Sequence, residues 1–349
     1  MSVATELTNQ KLKPLLKSRT KTFPWRKTVQ ISFAAINIIL CWQFYRFVHA
    51  AQTTTVGSLP ARPAGVEGWL PISGLMGAMD WLANGTLNTV HPAATMLVLT
   101  FITLALLFRK VFCSWLCPVG SLSELMALPG RKLFKRNFKP PRWIDRPLMG
   151  IKYLLLAFFL WAFYMMGMQG IAHFIQSPYN QIADVKMLLF FVELGMVGVV
   201  VLIGLAVGSL FIKGFWCRYF CPYGALLGMF SWISPAKIRR NPVSCIDCGK
   251  CDRVCPSRLP IMIKDNIVSV ECTGCMECVD ACPIQDTLHF GTRNWKPTSA
   301  KLALLIAITF LIFYVGAQMS GHWQTSVTDE DYRNHISNLN GPAYGHPGM

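Results

Sequence analysis

Cys245-Ile246-Asp247-Cys248-Gly249-Lys250-Cys251-Asp252-Arg253-Val254-Cys255-Pro256 reads C-x2-C-x2-C-x3-C-P. Cys272, Cys275, Cys278, Cys282 and Pro283 repeat the run 27 residues on. Three cysteines at x2 spacing wrap a short loop around one face of an iron–sulfur cube. The fourth, just before proline, turns away and ligates the other cube. The spacing assigns one [4Fe-4S] cluster to Cys245, Cys248, Cys251 and Cys282, and a second to Cys272, Cys275, Cys278 and Cys255. Zinc needs only four ligands and explains neither the third x2 step nor the two prolines. Residues 236–296 are therefore expected to form a bacterial two-[4Fe-4S] ferredoxin-like α+β domain.

The chain around this domain is apolar. Of its 349 residues, 53% are hydrophobic and 14% charged, with a mean hydropathy of +0.39. A soluble domain carries about 25% charged residues, so an α-helical integral membrane protein is implied. Five segments reach the roughly 20 residues needed to cross a bilayer: 28–50, 92–109, 150–174, 187–212 and 299–319. The net charge of +16 does not imply a nucleic-acid partner, because the basic residues gather beside apolar stretches, which is a topology signal. Seven lie in 1–27, ten in 109–152 and twelve in 213–301, against Arg46, Arg62, Lys186 and Arg333 elsewhere. The alternation predicts five spans in a bacterial inner membrane. On that reading the basic tail 1–27 and the ferredoxin domain are cytoplasmic, 28–235 is the membrane domain, 299–319 is the last helix and 320–349 is a periplasmic tail.

Two further cysteine pairs mark an internal repeat. Phe108-Arg109-Lys110-Val111-Phe112-Cys113-Ser114-Trp115-Leu116-Cys117-Pro118-Val119-Gly120 closes the second apolar segment, and Lys213-Gly214-Phe215-Trp216-Cys217-Arg218-Tyr219-Phe220-Cys221-Pro222-Tyr223-Gly224 closes the fourth. Both read basic, aromatic, C-x3-C-P-x-G. Segments 92–124 and 187–228 are then two parallel repeats related by an axis along the membrane normal. Cysteines at i and i+4 share one helical face, so Cys113, Cys117, Cys217 and Cys221 can be directed at one another. They read as a third iron–sulfur or metal site beneath the membrane, as a reversible dithiol, or as an inert structural pair. The thirteenth cysteine, Cys41, stands alone in an apolar run and reads as packing.

Two C-x3-C-P repeats after transmembrane segments, followed by a paired ferredoxin domain, resemble the NapH/NosR family of membrane polyferredoxins, with residues 28–291 carrying the match. The resemblance implies quinol as substrate and electron delivery to a periplasmic or membrane redox partner such as a cytochrome or reductase. A related branch implies a cupric reductase active in oxidase assembly. The chain departs from the NosR type in having no flavin-bearing periplasmic domain. It departs from the NapH type in its fifth span and acidic outer tail, Asp329-Glu330-Asp331 with His335 and Tyr344-Gly345-His346. The low hydrophobicity of that tail predicts an extended segment that orders on a partner.

Residues 51–91 read as an external segment in which 72–82 form a short interfacial helix, with Trp69 and Trp81 in the aromatic belt. A quinol loses two protons as it is oxidised, so a histidine or carboxylate near the membrane is a candidate acceptor. His91, His173 and Glu193 fit that description, Glu193 lying inside the fourth apolar segment. His49 and His322 share the outer level. Each also reads as an interfacial residue satisfied by water or a carbonyl. Three functions remain on the residues alone: an electron-transfer subunit between the quinol pool and a redox partner, a metal-reducing assembly factor using the C-x3-C-P thiols, and a non-catalytic anchor.

Overall fold

A computed structural model describes residues 23–54, 57–135, 138, 140–339 and 341–345. Most of the basic tail expected at 1–27, and His346, fall outside the described residues. Three helices among them are long and apolar enough to cross a membrane: α1 (Trp25–Thr53), α5 (Arg142–Ile175) and α12 (Ser299–Met319). They match the first, third and fifth expected spans, although α5 kinks at Gly167, whose φ is 66°. The second expected span is a shorter apolar helix, α3 (Pro92–Phe108), of 17 residues. At about 1.5 Å per residue it extends roughly 25 Å, a little less than the hydrocarbon core.

The fourth expected span, 187–212, is not one helix. It is broken into α6 (Ala183–Val192) and α7 (Met196–Phe211), bent by 77°. The break falls at Glu193-Leu194-Gly195, where Gly195 takes an extended conformation as the N-cap of α7. Hydropathy alone reads straight through such a break, because every residue around it except Glu193 is apolar or small.

Between the long helices, the expected interfacial helix exists as α2 (Pro71–Asn84), but it is packed into the bundle. Its Met76 is buried against Val90 and the α5 residues Phe163 and Ile171. α4 (Pro118–Phe134) follows the first C-x3-C run, and α8 (Phe215–Tyr219) and α9 (Pro222–Ile233) carry the second. Packing is reciprocal: α4 lies against α7, and α9 against α3.

The ferredoxin portion is a small antiparallel sheet in the order β2-β1-β3, formed by β1 (Lys237–Arg240), β2 (Asn266–Ile267) and β3 (Leu288–Gly291). Ile238 pairs with both Ile267 and Phe290 and is buried with them. Two short helices, α10 (Lys250–Val254) and α11 (Glu277–Ala281), pack on each other beside the sheet. One apolar core joins this unit to the membrane helices, since Leu104, Phe108, Val111 and Trp115 bury together with Ile267, Met276 and Phe290.

The expectation of an extended C-terminal tail is corrected. Residues Asp329–Ser337 form helix α13, capped by reciprocal Thr328 and Asp331 hydrogen bonds. Such a capping box satisfies two orphan backbone donors, and the acidic first turn suits the helix dipole. Tyr332 and Ile336, four apart, sit on one face and bury against Phe44, Phe47, Ile182 and Val185. Cys41 is exposed on the flank of α1.

Candidate functional site

The ferredoxin cysteines are brought together by repeated backbone geometry. In the first loop Asp247 and Gly249, flanking Cys248, have φ of 49° and 65°; in the second Gly274 and Met276, flanking Cys275, both have 61°. Left-handed residues on either side of the middle cysteine curl the chain so that successive thiols face inward. Cys251 and Cys278 lie on α10 and α11, and Cys255 and Cys282 end those helices in extended conformation. Two small cavities result. One is walled by Cys245, Cys248, Cys251 and Cys282, the other by Cys255, Cys272, Cys275 and Cys278. Ile284 and Leu288 close the first, and Ile238, Ile261 and Ile267 the second.

Burial pushes the Cys275 thiol up to about 12 and Cys251 to about 11. Among the described residues no three His, Cys, Asp or Glu side chains are arranged around a single ion. Each set of four cysteines instead lines one cavity, and four thiolates are the donor set of an iron–sulfur cube.

The C-x3-C-P-x-G runs have a shared construction of their own. Cys117 is the N-cap of α4 with Pro118 at its first position, and Cys221 is the N-cap of α9 with Pro222 likewise. The third helical residue is glycine in both, and the Gly224 N–H donates to Cys221 Sγ at 3.3 Å. Cys117 holds the same N-cap position without a side-chain cap hydrogen bond. A Cβ on Gly120 would stand 2.5 Å from the Cys113 carbonyl oxygen, so only glycine lets the two turns approach. Helix N-termini thus set positive dipole ends beside two of the four cysteines. The expected i, i+4 helical face is corrected for the first pair. Phe112–Leu116 is a π-type turn closed by Cys117 N–H to the Phe112 carbonyl at 2.8 Å, and Cys117 itself is extended.

All four thiols lie close enough to feel one another. Burial raises Cys113 to about 12, with charge on Cys117 and Cys221 adding and Lys110 opposing. Burial likewise lifts Cys117 to about 11, and Cys217 rises with contributions from the other three. Lys110 is buried beside them. The Tyr223 hydroxyl is buried with no hydrogen-bond partner, and it too senses Cys113, Cys117 and Cys221.

Charged side chains that the motif search passed over clamp this thiol group to the ferredoxin unit. Glu271, next to Cys272, accepts from Lys152 Nζ at 2.7 Å, Tyr153 Oη at 2.8 Å and Lys110 Nζ at 3.4 Å. Its burial is outweighed by the two lysines and these hydrogen bonds, which hold its carboxyl down to about 2. Arg109 donates to the carbonyls of Ser231 at 3.1 Å and Ser269 at 3.3 Å. Ser114 Oγ donates to the Thr273 carbonyl at 2.7 Å and Trp115 Nε1 to Gly274 at 3.2 Å. Arg218, between the second pair of cysteines, donates to Asp145 on α5. Arg26 of α1 bridges Glu124 and Glu277 at 2.8 Å each. Sequence offers no signal for these pairs, because their partners lie up to 251 residues apart.

A cavity of about 660 Å³ runs through the bundle. Cys113, Cys117, Cys217, Cys221 and Tyr223 line one end together with Cys275 and Glu271. Leu40, Leu97, Phe101 and Phe310 form apolar walls, and Arg62, Trp69 and Trp323 line its other reaches. The size suits a small-molecule ligand. Arg62 Nη2 contacts Asp184 Oδ2 at 2.6 Å and Glu67 Oε1 at 2.9 Å, both acids being buried. His91 is buried beside them, with Nε2 2.6 Å from the Asn180 carbonyl and Nδ1 3.4 Å from Glu67 Oε1. Burial disfavours its protonation, but Glu67 outweighs this and the net shift is upward. His173 and Glu193 are exposed and do not line the cavity.

Residues 90–141 and 194–241, which contain both C-x3-C-P runs, match a 4Fe-4S binding domain family. Residues 237–283 match a 4Fe-4S dicluster domain family. YccM of Escherichia coli (strain K12), to which electron transport is provisionally ascribed, is 46% identical over 92% of this chain and 92% of its own length. The ferredoxin-type protein NapH of Haemophilus influenzae is 28% identical over 54% of this chain and 64% of its own. The regulatory protein NosR of Pseudomonas aeruginosa is 30% identical, covering 53% of this chain and 26% of its own. No solved structure matches.

Proposed function

Because the chain belongs to the NapH/NosR-type family of 4Fe-4S membrane proteins and is an iron–sulfur electron-transfer protein, we propose that it passes electrons between the quinol pool and a respiratory redox partner. In this reading Cys245, Cys248, Cys251 and Cys282 hold one cluster, Cys255, Cys272, Cys275 and Cys278 a second, and the four C-x3-C-P thiols a third. Bound there, [4Fe-4S] clusters supply one-electron exchange.

The protein's own side chains do the rest. The Gly224 N–H orients the Cys221 sulfur, and Lys110 would set positive charge beside the group the thiols hold. Glu271 fixes both Lys110 and Lys152 and, held near 2, is a clamp and not a base at neutral pH. Phe108, Trp115 and Met276 exclude water from the space between the thiol group and the ferredoxin unit.

The observation that supports a quinol is the cavity, whose apolar walls lead from Arg62 and Trp69 to the four thiols. An isoprenoid tail suits Leu40, Leu97 and Phe310. His91 is the proton acceptor we retain from the sequence candidates, since Arg62, which borders the cavity, shares its Glu67. We place the protein in the cytoplasmic membrane with the thiol end inward, on the distribution of Lys and Arg. Equal periplasmic activity of reporters fused within 285–297 and after Met349 would exclude that orientation.

The test is anaerobic addition of menaquinol to the purified protein. Bleaching of the iron–sulfur absorbance is expected, and it should slow in Leu97→Trp, which fills the cavity. No bleaching in the wild type would refute the quinol reading. Cupric-ion reduction lost in Cys113→Ser, without reaction with menaquinol, would turn the assignment to a metal reductase.

A further inference from the structure

We propose that the Tyr223 hydroxyl is the hydrogen-bond donor that sets the redox potential of the centre held by Cys113, Cys117, Cys217 and Cys221. The inference rests on the reading of those thiols as a third cluster site and goes one residue further. Tyr223 occupies the x position of the second C-P-x-G run, where the first run carries Val119. Both halves place a cysteine at a helix N-cap, but only the second supplies a hydroxyl at this position. That hydroxyl is enclosed and has no partner, a state in which a buried polar group is costly and calls for an acceptor. Tyr223 lines the same cavity as Cys113, Cys117, Cys217 and Cys221. Its ring packs edge-on against Phe112 at 5.9 Å.

Three other protic groups nearby share one acceptor. Lys152 and Lys110 are both within ion-pair distance of Glu271, at 2.7 and 3.4 Å, and Tyr153 donates to the same carboxylate. Tyr223 is the donor left free among them to reach a sulfur. Hydrogen bonds to the sulfurs are one of the levers on the potential of such a centre. A donor stabilises the more negative, reduced form more than the oxidised form, so its presence raises the potential. Tyr223 acts through the group the thiols hold, as a positioning and tuning residue.

The experiment is a potentiometric titration of the purified full chain, followed by electron paramagnetic resonance, in wild type and Tyr223→Phe. Phenylalanine keeps the ring and its contact with Phe112, so the fold and the iron content should be unchanged. The signal of the third centre should move to lower potential. A tenfold fall in its reduced-to-oxidised ratio at a fixed ambient potential corresponds to 59 mV for a one-electron couple, and a shift of about that size is expected. The two ferredoxin signals should titrate as in the wild type. A third signal with an unshifted midpoint would overturn this inference and leave the third-centre reading intact. Loss of the third centre's iron in Tyr223→Phe would make the residue a holding group and overturn the tuning role. A wild type with ferredoxin signals alone would overturn both.

Discussion

Replacing Glu271 by glutamine should loosen the junction between the membrane helices and the ferredoxin unit. The carboxylate, 17% exposed, takes Lys152 and Lys110 at 2.7 and 3.4 Å together with the Tyr153 hydroxyl. Its pKa falls from 4.5 to about 2. Each tenfold change in proton affinity is about 1.4 kcal/mol, so the charged form is favoured in the folded state by roughly 3 kcal/mol. The sign follows from a depressed folded value. The stabilisation is fully present above pH 4.5 and is lost as pH falls towards 2. At neutral pH, Glu271→Gln also leaves two buried ammonium groups facing a neutral amide, which costs about 3–5 kcal/mol for a broken buried pair. A loss of roughly 5–10 °C in the thermal midpoint follows.

The assay is thermal unfolding in detergent, read by iron–sulfur absorbance and tryptophan fluorescence in parallel. Glu271→Gln combined with Lys152→Met should recover part of the loss, because it removes one of the two buried ammonium groups left facing the amide. A Glu271→Gln midpoint equal to the wild type, or a double variant no better than the single, would refute the clamp.

Iron and sulfide analysis should give about twelve of each per chain, eight from the ferredoxin loops and four from the C-x3-C-P thiols. Cys41→Ser should leave that count unchanged. Gly120→Ala, whose new methyl meets the Cys113 carbonyl at 2.5 Å, should lose the third centre while the ferredoxin signals persist; a full iron complement would contradict it. Tyr332→Ala should release helix α13 from its seat on Phe47 and Ile182. Limited proteolysis would then cut within 329–337 much faster than in the wild type, and equal rates would show that the helix is held by something else.

Local patterns were readable where chemistry imposes a spacing. The eight ferredoxin cysteines could be sorted into two sets because C-x2-C-x2-C-x3-C-P constrains which sulfurs meet, and the two cavities are walled by those same sets. The apolar segments at α1, α5 and α12 announced themselves by length. What escaped was non-local or conformational. The break at Glu193-Leu194-Gly195 changes no hydropathy average, yet it puts Glu193 in the open. The low hydrophobicity around α13 points to an extended segment, because two residues, Tyr332 and Ile336, carry most of its buried face. Arg62, Glu67, Asp184 and Glu271 gave no motif, since their partners are set by tertiary packing. The C-x3-C spacing suggested a helical face, whereas the paired N-caps at Cys117 and Cys221 are what turn the thiols together.

We propose that the four C-x3-C-P thiols form one redox unit between the cavity and the ferredoxin domain. Quinol-driven reduction, measured anaerobically in Cys113→Ser, Cys217→Ser and the double variant, tests it most directly. The account predicts that both single variants lose the reaction to the same extent and that the double variant is no worse than either, as for residues acting as a unit. The ferredoxin spectra should survive reduction by dithionite in all three. Wild-type rates in the single variants, with intact ferredoxin signals, would contradict it.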